Sequence, residues 1–99
     1  MVKHIVLWNF VEGLDEAEKA QAGQKMKALL EPIRELVPGA LEIHVLTEGL
    51  PSSNREIALI SDFETAEALK NYQEHPAHVE AGKYVGSVTC NRACMDYEL

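Results

Sequence analysis

The segment Tyr72-Gln73-Glu74-His75-Pro76-Ala77-His78 gathers a phenol and two imidazoles within seven residues. An imidazole takes and returns a proton near neutral pH, and a phenol can donate a hydrogen bond to a developing enolate or oxyanion. Together they fit proton abstraction next to a carbonyl, with His78 as base and Tyr72 as donor. No cofactor is called for by that chemistry. Pro76 disfavours helical geometry at His75, so the chain turns there and can aim His78 back at the body of the protein. The same residues also have a plain structural use, because histidines at helix ends cap carbonyls and a tyrosine there can simply pack. A metal site is the weaker alternative. His75 and His78, with Glu74 or Glu80, offer donor atoms, but H-P-x-H lacks the i,i+4 pairing of H-E-x-x-H, and Pro76 breaks the helical face. No metal is expected.

These side chains must be positioned by the elements around them. Val2 to Phe10 is rich in β-branched and aromatic residues and reads as a first strand. Asp15, with Glu18 three residues on, opens a helix in a capping-box pattern. Ala22, Met26, Leu29, Leu30, Ile33, Leu36 and Val37 then form one apolar stripe. Pro32 should kink that helix and Pro38-Gly39 should end it. Leu41, Ile43 and Val45 alternate with Glu42 and His44, which predicts a half-buried second strand over Ala40 to Thr47 and puts His44 on the surface. Glu48 to Arg55 is a turn-rich loop, and Ile57 to Phe63 is a third strand. Thr65 to Glu74 begins a second helix, interrupted by Pro76, with His78 to Val85 as another short helical turn. Val88 to Tyr97 is the last strand. The glycines fall at turns or element ends except Gly23, inside the first helix.

The order β-α-β-β-α-β is that of an α+β, ferredoxin-like fold: a four-stranded antiparallel sheet with helices on one face. Ninety-nine residues make a single domain over 1–99 the natural expectation. Sixteen acidic against nine basic residues, net charge −7, argue against phosphate-backbone binding, so no nucleic-acid partner is expected. No apolar run approaches the length of about 20 residues that spans a bilayer, and no secretory signal opens the chain, so a cytoplasmic protein without a membrane partner is expected. Cys90 and Cys94 are too few for a disulfide scaffold. On one strand, an i,i+4 pair lies about 13 Å apart, too far to bond, so two reduced thiols are expected. No Ser-His-Asp order, phosphate-cradling glycine loop or nucleotide fingerprint is present.

The strand faces add one expectation. A sheet covered on one side should alternate apolar and polar residues. In the first strand, however, Ile5 and Leu7 face one way while His4, Val6, Trp8 and Phe10 face the other. In the third, Ile57 and Leu59 oppose Ala58 and Ile60. Two helices cover only one face, so a second copy packing on the open face, a homodimeric α+β barrel, is expected. Ordinary scatter of surface apolar residues is the alternative, and His4 alone reads as a partnered core histidine.

The opening Val2-Lys3-His4-Ile5-Val6-Leu7, the Phe63-Glu64 step, Tyr72-x-x-His75-Pro76-x-His78 and the closing Asp96-Tyr97 together resemble the stress-responsive dimeric α/β-barrel (Dabb) family, over nearly the whole chain. The resemblance implies a homodimer. Through the family's plant polyketide cyclases, of the olivetolic acid cyclase type, it also implies a metal-free and cofactor-free site in which Tyr72 orients the substrate and His78 is the general base. His4 would line the same cavity, with Val6, Trp8 and His75 as further substrate-binding residues and an apolar or aromatic small molecule as ligand. The chain departs from those cyclases where the pocket is shaped, carrying small Ala22 and Gly23 in place of bulky aromatics. Three functions remain open: a cofactor-independent cyclase, lyase or isomerase; a non-catalytic ligand-binding or stress-response module; and a cofactor-free or haem-dependent monooxygenase of the wider dimeric α+β barrel superfamily.

Overall fold

The computed structural model describes the whole chain, Met1–Leu99. Strand β1 spans Val2–Phe10, helix α1 Glu16–Leu30, β2 Ala40–Leu46, β3 Ile57–Phe63, α2 Ala66–Glu74, α3 Pro76–Val88 and β4 Thr89–Glu98. The expected capping box opens α1: the Asp15 side chain accepts from the Glu18 amide at 2.8 Å, and Glu18 accepts in return from the Asp15 amide at 3.1 Å. Pro32 converts the end of this stretch to a 3₁₀ turn, Glu31–Glu35, because it cannot donate to the α-helical ladder. Gly39 then turns the chain at φ +87, where a Cβ would meet that of Ala68 at 2.7 Å. Gly23 has a different reason: a Cβ there would approach Thr47 Cγ2 at 3.0 Å, so its absence lets α1 lie close to the residue after β2.

The second half of the chain is more helical than the sequence pattern suggested. Pro76 does not leave a short turn behind it; it begins a 13-residue helix. Proline suits the first helical position, where its missing N–H is an orphan in any case and its fixed φ is already helical. His75 is extended, at φ −63 and ψ 137, and separates α2 from α3. The last strand accordingly starts at Thr89 rather than Val88.

The sheet is antiparallel throughout, in the order β2-β3-β1-β4. The helices cover one face. Val2, His4, Val6, Trp8 and Phe10 of β1 point into it with Ile43, Val45, Ile57, Leu59, Ser61 and Phe63, and all are buried. They meet Met26 and Leu30 of α1, Ile33 of the 3₁₀ turn, Leu69 and Tyr72 of α2, and Val85 of α3. The opposite face has no cover in the monomer. Register aligns Leu46, Ala58, Leu7 and Ala93 in one row and His44, Ile60, Ile5 and Met95 in the next. Leu46 and Met95 are exposed there, and Ile5, Leu7, Ala58 and Ile60 only half-buried. The Lys3–Asp62 ion pair, 3.0 Å long, and the His44–Glu42 contact at 2.9 Å interrupt this apolar surface.

Candidate functional site

Between the sheet and the helices, beside β4, lies a cavity of about 370 Å³. Its floor is buried and mostly apolar: His4, Val6 and Trp8 of β1, Leu59 of β3, Leu30 of α1 and Val85 of α3. Its rim is polar and open, with Gln73 from α2 and Asn91 and Arg92 from β4. Gly82 and Gly86 of α3 line it without side chains, leaving room above the floor. A volume of this size, with apolar walls and few convergent polar groups, matches a small-molecule site. A wider depression of about 700 Å³ runs from Gly23 and Lys27 to the loop after β2, but no imidazole, thiol or phenol lines it.

His78 stands on the cavity wall, half-buried, two residues into α3. The His75–Pro76 break turns the chain so that its ring faces the sheet, as the spacing predicted. Burial is the main influence on His78 and pushes its pKa below the usual 6.5; the Gln73 carbonyl opposes this, while His4 and Arg92 add to it. His78 is therefore a neutral imidazole at pH 7. Behind it the Tyr72 ring meets it edge-on, centroids 4.5 Å apart, and packs on Phe63 at 5.0 Å. Tyr72 is fully buried, and its hydroxyl has no hydrogen-bond partner. Burial holds that phenol protonated far above its ordinary range.

His4 is buried and lies 6.2 Å from Tyr72 between ring centroids. Sheet register places it opposite Asp96, whose carboxylate hydrogen-bonds His4 Nδ1. A carboxylate only accepts, so His4 donates from Nδ1, and its Nε2 accepts when the ring is neutral. Cys94 completes this corner, with Sγ 3.9 Å from His4 Nδ1 and 3.6 Å from Asp96 Oδ1. Burial first, then the Asp96 charge, raises the Cys94 pKa and keeps it a thiol, with Arg92 opposing. His4, Cys94 and Asp96 offer one nitrogen, one sulfur and one oxygen within 4.8 Å of one another, the closest approach in the chain to a metal-ligand set. The His4–Asp96 hydrogen bond already uses two of those three atoms.

The structure thus brings His4, Val6, Trp8 and His78 together on one wall. It places Tyr72 one layer behind that wall rather than on it. His75, expected to bind substrate, does not line the cavity: its Nδ1 accepts from the Ala77 amide at 3.0 Å and caps α3. That is the structural use open to a histidine at a helix start, and it is the use the fold makes of it. The contributions of Arg92 and Cys94 were not foreseen. A register shift in the β1–β4 ladder between Leu7 and Asn9, with Asn91 at φ 54, sets how that stretch faces the cavity, and an Asn-Arg pair alone is a weak signal for it.

The model of the Stress Responsive A/B Barrel Domain matches residues 2–99. The chain belongs to the Dabb family. A dimeric protein of unknown function and ferredoxin-like fold from Bacteroides fragilis is similar to this Dabb chain at 34% identity and TM-score 0.89, over 99% of this chain and 95% of that one. A Dabb family protein from Mesorhizobium loti superposes with TM-score 0.76 at 17% identity, over 99% and 95% of the two chains. A hydroxynitrile lyase from Passiflora edulis does so with TM-score 0.80, also at 17% identity, over 99% and 92%. The last two likenesses concern the fold alone. Among curated proteins none matches the sequence.

Proposed function

We propose that the Dabb cavity binds an apolar or aromatic carbonyl compound and that His78 moves a proton α to its carbonyl, in a cofactor-independent lyase, isomerase or cyclase reaction. The observation that carries this reading is the pairing of His78, neutral and on the wall, with a buried Tyr72 hydroxyl that has no partner of its own. A neutral imidazole accepts a proton at pH 7, and an unpaired phenol is a donor awaiting an acceptor. Tyr72 reaches the ligand only if the His78 ring turns aside. The hydroxynitrile lyase on the same fold supports an enzyme by analogy only. The protein acts as a homodimer joined through the open sheet face, a reading supported by the apolar rows on that face and by the dimeric Bacteroides fragilis relative. Two free thiols, Cys90 and Cys94, support a cytoplasmic setting.

One observation favours a second reading. Tyr72 lies off the wall, as suits a non-catalytic module that only holds its ligand. Incubating the protein in D₂O with aryl and alkyl ketones and β-keto acids, and following α-deuteration by NMR, separates the two. Catalysed exchange in the native protein, lost in a folded His78→Gln variant, is the expected result. Exchange no faster than buffer with every probe removes the enzyme reading and leaves the binding module.

A further inference from the structure

The walls of the cavity carry a charge opposite to that of the whole chain. Sixteen acidic residues outnumber nine basic ones, yet no carboxylate lines this space and one guanidinium, Arg92, does. The nearest acid of the site, Asp96, is tied to His4 Nδ1. Arg92 makes no ion pair: every salt bridge in the structure joins other residues. Its position in the ladder is an irregular one, beside Asn91 in the left-handed region at φ 54, and such irregularities re-aim side chains next to binding sites. Gln73 and Asn91 add neutral hydrogen-bonding groups at the same rim.

We propose that Arg92 receives the carboxylate of the ligand, so that the cavity selects an apolar or aromatic acid over its uncharged counterpart. This rests on the cavity being the ligand site, as argued above, and names the class of molecule it takes. The apolar body lies on Val6, Trp8 and Val85, and the anionic group meets the guanidinium at the rim. Arginine suits this role because its planar fork matches a carboxylate with two parallel hydrogen bonds. The net charge of −7 disfavours anions over the surface as a whole, and the wider depression that Arg55 lines also carries Glu48 and Glu56. An unpaired cation beside a cavity without carboxylates is therefore a local attractor.

Trp8 is the sole tryptophan and sits on the cavity floor, so its indole signal in ¹⁵N-labelled protein reports binding there. The probes are 1-naphthoate and its uncharged analogue 1-naphthamide, titrated at low salt. The acid should bind about tenfold more tightly or better, the fold-change of one charge-assisted contact. Arg92→Gln should remove that preference while leaving amide binding unchanged, and Arg92→Lys should keep part of it. Equal affinity for acid and amide in the native protein overturns the proposal and leaves the cavity reading intact, as does an equal loss of both in Arg92→Gln. If neither probe moves the Trp8 signal at millimolar concentration, both readings fall together.

Discussion

Replacing Tyr72 with phenylalanine should make the protein more stable. The ring is fully buried between His78 and Phe63, at 4.5 and 5.0 Å between centroids, and phenylalanine keeps that packing unchanged. Only the hydroxyl is lost, and it has no partner. A buried polar group left unpaired costs about 1–3 kcal/mol, and a variant without it recovers most of that. In a chain of this length each kcal/mol moves the melting temperature by about 4–8 °C, so a rise of about 5 °C or more is expected. Native protein and variant must be compared by calorimetry at one protein concentration, because the melting temperature of a dimer depends on it. The same variant should lose α-exchange activity. A side chain whose removal raises stability and lowers activity is one retained for function at a cost to the fold. An unchanged or lower melting temperature would refute the reasoning, since it would mean that the hydroxyl is already satisfied in the folded state.

Three further outcomes are expected. His78 has a folded pKa below 6.5, so between that value and 6.5 the unfolded chain binds more protons; its contribution to stability is whole above 6.5 and is lost as pH falls through the folded value. The acid limb of the kcat/KM profile should lie below pH 6.5, and His78→Gln should flatten the stability slope measured by denaturant titration over that range; an acid limb above 6.5 excludes His78 as the base. Ile60→Glu, on the open sheet face, should shift the sedimenting species from about twice 11.0 kDa toward the monomer, whereas Leu59→Glu, one residue away but 2% exposed in the core, should unfold it. An Ile60→Glu protein that stays dimeric would place the interface elsewhere. Gly39→Ala meets both a positive φ and the Ala68 side chain, so it should destabilise by more than about 1 kcal/mol in urea titration; no change would mean that the turn relaxes freely.

The fold was legible because its signals are local and periodic. The capping box at Asp15, the alternation of Leu41, Ile43 and Val45, and the stop at Pro38-Gly39 each act within a few residues. The two-faced first strand was equally plain, since burial alternates along β1 from Val2 to Phe10 with no exception. Pro76 was harder to read. Proline ends one helix and begins the next with the same fixed φ, so only the apolar positions Ala81 and Val85 beyond it distinguish a break from a start. His75 was hard to read for a related reason: capping and ligand binding ask for the same side chain in the same place, and the choice between them depends on which way the ring turns; here it caps α3.

What stayed out of reach was every relation across the sheet. Nothing in the sequence says that position 96 faces position 4; that pairing requires the β1–β4 register and the shift within it. Register also decides the chemistry. With Asp96 on His4 Nδ1, the first-strand histidine is held in one orientation and its neighbouring carboxylate is occupied, which leaves the cavity wall without an available acid. A free carboxylate there would stabilise protonated His78 and weaken it as a base at neutral pH. The Asp96–His4 contact therefore carries two effects at once: a hydrogen bond that orients the His4 imidazole, and a charge placed beside the wall. Asp96→Asn separates these effects, because asparagine can still accept from Nδ1 through its oxygen while carrying no charge. If His4 is held by geometry, the variant should keep its fold and ligand affinity within about twofold, well under the tenfold that 1.4 kcal/mol represents. A larger loss of affinity would show that the charge on Asp96, and not its hydrogen bond alone, is needed to hold the wall in place.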